Sequence, residues 1–167
     1  MSDRSEPVIR EARPGDESGI HEAHMRSIRE VCIKDHGEDE VRGWGNRPLG
    51  DRWTKQITGG GLWVVDGSGT IYGVGYIQTH HNDDESEAHV FGLYLAPEVL
   101  RKGFGSKLVR LMLAKAKADG AKKVTLTATI TAHAFYGRHG FKDSAPMTWS
   151  EIGGSRVRGF PMILHLE

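Results

Sequence analysis

The sequence predicts a mixed α/β sheet of the α+β type within a single domain. Its 167 residues suit one compact domain and leave no room for two ordinary ones. Short apolar segments typical of strands are interrupted by segments with helical periodicity, and hairpin turns join the central strands. We expect residues 7–167 to form this domain and the polar residues 1–6 to be loose.

Composition excludes several classes of protein. The 22 basic and 22 acidic side chains give a net charge of zero, which argues against a nucleic-acid partner. The single cysteine, Cys32, excludes an internal disulfide. No apolar run approaches the roughly 18–20 residues of a membrane span, and the first residues lack the apolar stretch of a signal peptide. We therefore expect a cytoplasmic protein with no membrane partner.

The N-terminal third begins with a strand and then becomes helical. Residues 8–12 predict a strand, and the turn after it ends at Asp16, which we expect to cap a helix running to about Val31. Residues 38–44 predict a short second helix. Residues 47–61 show no pattern that favours helix or strand.

The middle of the chain is predicted to be mostly β-structure. Residues 62–66 and 70–78 flank a Gly-Ser-Gly turn and indicate a hairpin. Residues 80–85 are polar and predict a turn, and a further strand at 87–95 ends before Pro97.

The C-terminal third alternates helices and strands. Its clearest element is a helix at 106–118, which has an apolar face and a glycine at its end. The remaining predicted elements are a strand at 123–129, a short helix at 131–138, and strands at 141–145 and 161–166.

A basic, glycine-containing loop precedes the long helix and carries the strongest chemical signal. Gly103 and Gly105 allow close approach to the backbone, and the N–H groups at the start of a helix favour an anion. Arg101 and Lys102 add positive charge, and Ser106 adds a hydroxyl donor. These features indicate a phosphate-bearing ligand, and the alternative is an ordinary strand-to-helix turn with a glycine hinge. The loop matches neither the P-loop pattern nor the dinucleotide-binding fingerprint.

Three segments carry a family resemblance. Residues 93–108 are similar to a pyrophosphate loop of the form [QR]-x-x-G-x-[GA], and a predicted strand ends near Thr129. Residues 132–141 are similar to the signature A-x-x-F-Y-x-x-x-G-F. On these segments the chain resembles the GNAT superfamily of acetyl-CoA-dependent N-acetyltransferases. It departs from the family where Leu100 replaces a Gln or Arg and where Thr129 replaces a frequent Asn.

The resemblance implies a fold and a co-substrate. The fold is a central, mostly antiparallel sheet that splays at the CoA site and is flanked by helices. The co-substrate is acetyl-CoA, with its pyrophosphate on the loop backbone and its pantetheine along the preceding strand, and no metal is implied. The implied cofactor-binding residues are Leu93, Leu95, Leu100, Arg101, Lys102, Gly103, Phe104, Gly105, Ser106 and Thr129.

Acetyl transfer to an amine needs a proton donor for the departing thiolate and a base for the amine. Tyr136 matches the family position whose phenol often protonates the thiolate, and its alternative role is packing beneath the CoA helix. By resemblance, His89 falls where many family members carry a Glu on the fourth strand, and its alternative role is that of a satisfied polar residue. Glu87 lies two residues earlier, hence on the same strand face, and is the second candidate base. A histidine, with a reference pKa near 6.5, accepts protons near neutral pH.

The acceptor is predicted to be a small-molecule or peptide amine, bound beside the first helices as the resemblance implies. Trp44 and Trp53 are equally well explained as core aromatics. The only dense acidic cluster near this side is residues 38–40, which would suit a polycation but is equally well explained as a solvated helix start. The candidate lining residues are His24, Ser27, Ile28, Val31, Trp44 and Trp53.

Two functions from different classes fit these features. The first is an N-acetyltransferase in which the amine attacks acetyl-CoA directly, without a covalent enzyme intermediate. The second is a non-catalytic acyl-CoA sensor on the same fold, because a fold by itself does not determine function. Thiol release in the presence of amines distinguishes them. The sequence leaves a homodimer open.

Overall fold

The computed structural model describes residues 6–81 and 85–167, and within these ranges the backbone forms eight strands and six α-helices. The predicted loose N-terminus lies outside the described residues except for Glu6. The strands are β1 (Val8–Glu11), β2 (Leu62–Gly67), β3 (Thr70–His81), β4 (Ser86–Leu95), β5 (Lys123–Ala128), β6 (Lys142–Asp143), β7 (Thr148–Ile152) and β8 (Ser155–His165). The helices are α1 (Glu17–Ser27), α2 (Ile33–His36), α3 (Glu38–Trp44), α4 (Arg52–Gly59), α5 (Phe104–Ala118) and α6 (Ile130–Arg138).

The strands form one open sheet in the order β1-β2-β3-β4-β5-β8-β6, and β7 pairs with the first half of β8. Of the pairings described, β4 with β5 is parallel and the others are antiparallel. This arrangement confirms the predicted mixed and mostly antiparallel sheet. It also explains the long connection between β4 and β5, because parallel neighbours require a crossover.

The sheet opens between β4 and β5. Their pairing runs from Glu87 opposite Lys123 to Val90 opposite Leu126, and there it stops. Beyond this point β4 continues along β3, while β5 continues along β8. A bulge at Phe91, the extra residue between Val90 and Gly92 in the pairing with β3, bends β4 where the two strands part.

Helices cover both faces of the sheet. Alternation along β2 sends Leu62 and Val64 toward α1 on one face, and Trp63 and Val65 toward α5 on the other. Burying an aliphatic side chain completely, as at Val64, contributes about 1.5–3 kcal/mol. The long amphipathic helix α5 also lies against β3 and β4, the latter being one of the two strands that flank the opening.

The first helix differs from its prediction at both ends. Asp16 makes no side-chain cap, because its carboxylate accepts two hydrogen bonds from the Arg10 guanidinium, at 2.8 and 2.9 Å. The α-helix ends at Ser27 and passes into a π-helical turn, Ile28–Cys32, in which the Ile33 N–H reaches back to the Ile28 carbonyl. The extra residue turns the chain into α2, and such π-turns are frequent at functional sites.

Other differences concern elements with weak sequence patterns. Helix α4 lies within residues 47–61, whose pattern favours neither helix nor strand, and β7 is a strand that the sequence pattern does not predict. The strand predicted at 141–145 is only Lys142–Asp143, and β8 begins six residues before its predicted start. In the turn predicted at 80–85, residues 82–84 lie outside the described part, and His80 and His81 belong to β3. Among the described residues, no helix is long and apolar enough to cross a membrane.

Candidate active site

Two adjoining clefts occupy the opening between β4 and β5. The larger has a volume of about 500 Å³ and lies between the π-turn, the C-terminal half of β4, the loop before α5, and the start of α6. The smaller has a volume of about 20 Å³ and extends into the gap between the parting strands. Leu93, Tyr94, Thr129 and Ala132 line both, so the two clefts form one continuous site.

The loop before α5 presents backbone donors to the larger cleft. Gly103 adopts a left-handed conformation, with φ of 85°, and directs the chain into the first turn of the helix. The N–H groups of that first turn have no carbonyl partner within the helix. A Cβ atom on Gly105 would lie 3.2 Å from the Phe135 ring, so glycine keeps this turn close to α6. Arg101 also has a positive φ, of 61°, a strained conformation for a residue other than glycine and typical of ligand-binding loops.

Nine of the ten predicted cofactor residues line the larger cleft, and Lys102 does not. Lys102 is exposed, and Arg138 from α6 adds a cation to the lining instead. The Ser106 hydroxyl lies 3.0 Å from Nε2 of His139, an imidazole whose pKa is lowered by burial. The lining residues that the sequence did not predict for the cofactor are Ser27, Val31, Cys32, Tyr94, Thr131, Ala132, Phe135 and Arg138.

A buried histidine fixes the N-terminus of α6. Nε2 of His36 accepts a hydrogen bond from the first N–H of the helix, at Ile130, over 3.0 Å. Its Nδ1 therefore carries the proton and donates a hydrogen bond to the Glu40 carboxylate. The same carboxylate also accepts hydrogen bonds from the side chain and the backbone N–H of Arg158. The Thr129 hydroxyl accepts a further bond from the Ala132 N–H. Three elements, α2, α3 and β8, are thus joined to the helix that lines both clefts.

Tyr136 lies on α6 with its ring buried and borders the smaller cleft. No hydrogen bond joins its hydroxyl to another residue of the described chain. Burial raises the pKa of the phenol well above its ordinary value, and the neighbouring Tyr94 acts in the same direction. The hydroxyl is therefore protonated at neutral pH and free to donate into the gap.

Tyr94 is a site residue that the sequence analysis missed. It lines both clefts, burial raises its pKa strongly, and its ring lies 4.2 Å from that of His24. Strand alternation could have found Tyr94. Leu93 and Leu95 point to the face of the sheet that α5 covers, so the side chain between them must point to the opposite face. An aromatic ring with a polar tip at that position is typical of a ligand-facing residue.

The two candidate bases form a hydrogen-bonded chain outside the lining of both clefts. Nδ1 of His89 lies 2.8 Å from the Thr125 hydroxyl, which donates to the Glu87 carboxylate over 3.3 Å. The imidazole therefore donates from Nδ1 and keeps a lone pair on Nε2. Burial lowers the pKa of His89, and the charge of Glu87 opposes this shift. The ring contacts Phe91, which lines the smaller cleft.

The six candidate acceptor residues occupy three kinds of place. Ser27 and Val31 line the larger cleft, whereas Ile28 and Trp44 are buried in the core, Trp44 against His36. Core packing explains both residues, and nothing places their side chains in the clefts.

His24 and Trp53 are buried together beside Tyr94. Nε2 of His24 is buried without a hydrogen-bond partner. Leaving such a group unsatisfied costs about 1–3 kcal/mol. Burial also lowers the pKa of His24 well below its ordinary value, so the ring is neutral.

The acidic residues 38–40 do not present one continuous acidic surface, because only Glu38 and Asp39 are exposed. Glu40 is buried and bound to His36 and Arg158, and Asp39 is exposed and paired with Arg42. Among the described residues, no group of three or more His, Cys, Asp or Glu side chains is arranged to hold a metal.

Comparison with known proteins relates this chain to one family. Residues 25–141 match the model of the acetyltransferase (GNAT) family. This match covers more than half of the chain and includes both clefts. A search of curated protein sequences found no significant match.

Solved structures with low sequence identity share the fold. A GCN5-related N-acetyltransferase from Rhodopseudomonas palustris matches with a TM-score of 0.78 and 20% identity over 99% of both chains. The PaiA N-acetyltransferase from Thermoplasma acidophilum, solved with coenzyme A, matches with a TM-score of 0.74 and 19% identity over 97% of this chain and 100% of its own. YncA from Salmonella typhimurium, solved with acetyl-CoA, matches with a TM-score of 0.67 and 20% identity over 98% and 95%.

Proposed function

This chain belongs to the GNAT family of acetyltransferases and is an acyltransferase, and from that premise we propose that it transfers the acetyl group of acetyl-CoA directly to an amine. The acceptor is the amine of a small molecule or peptide. The observation that carries the proposal is the meeting of three features at one opening in the sheet. These are the unpaired backbone donors before α5, the parted strands β4 and β5, and the free hydroxyl of Tyr136.

The larger cleft fits acetyl-CoA, which supplies the activated acetyl group. Its backbone donors at residues 103–106 suit a pyrophosphate, because a helix N-terminus with free N–H groups favours an anion. Arg101 and Arg138 add positive charge to the same lining. The stretch of β4 after Val90 has no strand beside it on the β5 side, so its backbone groups are available to the amides of the pantetheine arm.

Two side chains would move the protons of the reaction. As the amine nitrogen bonds to the acetyl carbon and the carbon–sulfur bond breaks, Tyr136 would donate its phenolic proton to the departing sulfur. The amine loses a proton, which Nε2 of His89 would accept through water, since His89 lies behind Phe91. The chain through Thr125 to Glu87 holds the imidazole in the tautomer that leaves Nε2 free. Glu87 is the alternative base.

A covalent route through the enzyme is disfavoured by the chemistry of Cys32. This is the single cysteine of the chain, and although it lines the larger cleft, burial raises the pKa of its thiol to about 11. A thiol is a poor nucleophile unless it is ionised. We therefore expect Cys32→Ser to retain most of the wild-type turnover.

The test is thiol release from acetyl-CoA in the presence of a panel of amines, together with calorimetric binding of CoA. Amine-dependent release of free CoA, with the N-acetyl product identified by mass spectrometry, is the expected result. Binding of CoA without release of thiol for any amine would instead support the sensor function.

A further inference from the structure

Two arginines, Arg47 and Arg52, lie near Tyr94, which lines both clefts, although neither arginine lines a cleft itself. Arg47 is half-buried, and its Nε donates to the Trp44 carbonyl over 2.9 Å. Burial and the charge of Arg52 both lower the pKa of the Arg47 guanidinium. The side chain of Arg47 also packs against the turn between β7 and β8. A Cβ atom added to Gly153 in that turn would lie 2.8 Å from the Cγ of Arg47. A half-buried cation held in place is a preformed binding group.

Arg52 extends this positive region. Its guanidinium lies 4.7 Å above the Trp53 ring, and that ring packs against His24. The charges of Arg47 and Arg52 both act on His24 and on Tyr94. Both cations therefore lie within electrostatic range of the ring that borders both clefts.

No acidic side chain neutralises these two arginines within residues 6–81 and 85–167. The ion pairs there join other cationic residues to carboxylates, and neither Arg47 nor Arg52 takes part in one. Asp51, the sequence neighbour of Arg52, pairs with Lys55. The nearest acidic residues in the sequence before Arg47 are used elsewhere, Glu40 by Arg158 and Asp39 by Arg42. Arg52 is exposed, but Arg47 is half-buried, and a half-buried charge is normally paired, so the missing partner of Arg47 points to a ligand.

His24 supplies the second observation. Its side chain is 4% exposed, its Nε2 has no partner, and its ring lies against Tyr94 at the border of the clefts. A buried polar atom without a partner, within electrostatic range of an unpaired arginine, indicates that both await hydrogen bonds from the same bound molecule.

We propose that Arg47, assisted by Arg52 and His24, binds a carboxylate of the acceptor, so that the acceptor is an amino acid or another amine that carries a carboxylate. The proposal rests on the acetyltransferase function given above and specifies its substrate class. The planar guanidinium matches a carboxylate with two parallel hydrogen bonds. A polyamine or an aminoglycoside-like acceptor would meet repulsion from the same two arginines.

The experiment compares amino acids with the amines that lack only the carboxylate. Suitable pairs are phenylalanine with phenethylamine, tyrosine with tyramine, histidine with histamine, and lysine with cadaverine. For the best pair we expect the amino acid to have a kcat/KM at least tenfold higher than the amine. In Arg47→Gln we expect that advantage to disappear, chiefly through a loss of at least tenfold in the kcat/KM of the amino acid.

Arg42→Gln is the matched control, because Arg42 is an exposed arginine five residues earlier that pairs with Asp39. It should retain the full preference for the amino acid. Arg47→Lys keeps the charge without the planar fork and should retain part of the preference. Unchanged CoA affinity in all three variants shows that they are folded.

The outcomes separate this inference from the proposed function. Acetylation without a carboxylate preference, or a preference that survives in Arg47→Gln, overturns the inference and leaves the function intact. If no amine in the panel releases thiol, the proposed function fails, and binding of the N-acetyl amino acids in the presence of CoA then decides the inference. Equal binding of these compounds to the wild type and Arg47→Gln overturns it, whereas tighter binding to the wild type supports it.

Discussion

The ring of Tyr136 is buried, whereas its hydroxyl makes no hydrogen bond to any residue that the structure describes. Because burial raises the pKa of the phenol, its proton is retained through the neutral and mildly basic range. Tyr136→Phe removes this proton with almost no change in volume. We expect kcat to fall about 100-fold, the scale of general acid catalysis, while the Kd for CoA changes little.

The matched control for this substitution is Tyr72→Phe. Tyr72 is a half-buried tyrosine of β3 that packs against the core outside both clefts. It should keep wild-type turnover. Equal kcat values for Tyr136→Phe and wild type would exclude the phenol as the acid.

His89 gives the reaction a characteristic pH dependence. Burial lowers its pKa below 6.5, so the imidazole is neutral and able to accept a proton at pH 7, and it loses this ability only when the pH falls through the lowered pKa. A plot of log kcat/KM against pH should therefore show an additional fall below that pKa, beyond the fall due to protonation of the amine.

Substitutions in this chain test the assignment. In His89→Gln the additional fall should vanish and turnover should decrease about 10- to 100-fold with unchanged CoA binding. In Glu87→Gln the additional fall in kcat/KM should occur at lower pH, because the negative charge of Glu87, which raises the pKa of His89, has been removed. His81→Gln, at the exposed end of β3, should match the wild type. An unaltered pH profile in His89→Gln would remove His89 from the mechanism.

At the scale of single residues, sequence patterns predicted the groups that act through the backbone and missed those that act through tertiary contacts. Gly103 and Gly105 were found because a glycine loop before a helix has a local signature. Arg47 was not found, because the role proposed for it depends on its burial against the turn at Gly153, more than 100 residues away in sequence. His24 was predicted on the acceptor side, but its unpartnered Nε2 could be found only from the packing around it.

The two ends of helix α5 allow the cofactor loop to be tested against a control within the same element. Gly103 precedes the helix and Gly120 follows it, and both have positive φ, of 85° and 83°, with open space where a Cβ would lie. Alanine at either position costs about 1–2 kcal/mol of conformational strain. We expect both variants to lose stability by this amount in urea unfolding.

Only Gly103→Ala should also weaken CoA binding, by about tenfold, because only this end of the helix faces the larger cleft. Titration calorimetry measures the difference. An equal loss of CoA affinity in Gly120→Ala would show that the effect comes from general destabilisation and not from the loop.

Among the elements, those with strong periodicity were predicted and those anchored by few residues were not. The residues predicted for the second helix are those of α3, and the predicted hairpin is β2–β3. Helix α4 escaped prediction because its sequence is mostly polar and its buried anchor is Trp53. Strand β7 is largely exposed, so it lacks the alternation that marks a strand. The π-turn has no sequence signature, and it interrupts a helical pattern that looks continuous.

For the whole molecule, we propose that residues 7–167 unfold as one domain, because helices from both halves of the chain cover the same sheet. Since CoA would bind only the folded chain, a concentration 100 times its Kd should raise the free energy of unfolding by about 2.7 kcal/mol. Urea unfolding followed by tryptophan fluorescence and by circular dichroism should give coincident transitions that shift together. Separate transitions for the two probes would contradict a single domain.

The parting of β4 and β5 has a consequence for the life of the protein without its co-substrate. Beyond Val90 and Leu126 the two strands present backbone N–H and C=O groups in the interior of a sheet, so the fold contains an internal edge as well as its two outer ones. Unpaired strand edges are where chains associate wrongly. A bound pantetheine arm would occupy this edge as an added strand does. The protein would then resist aggregation better as the concentration of CoA rises, and the chain without CoA would be the form that aggregates most readily.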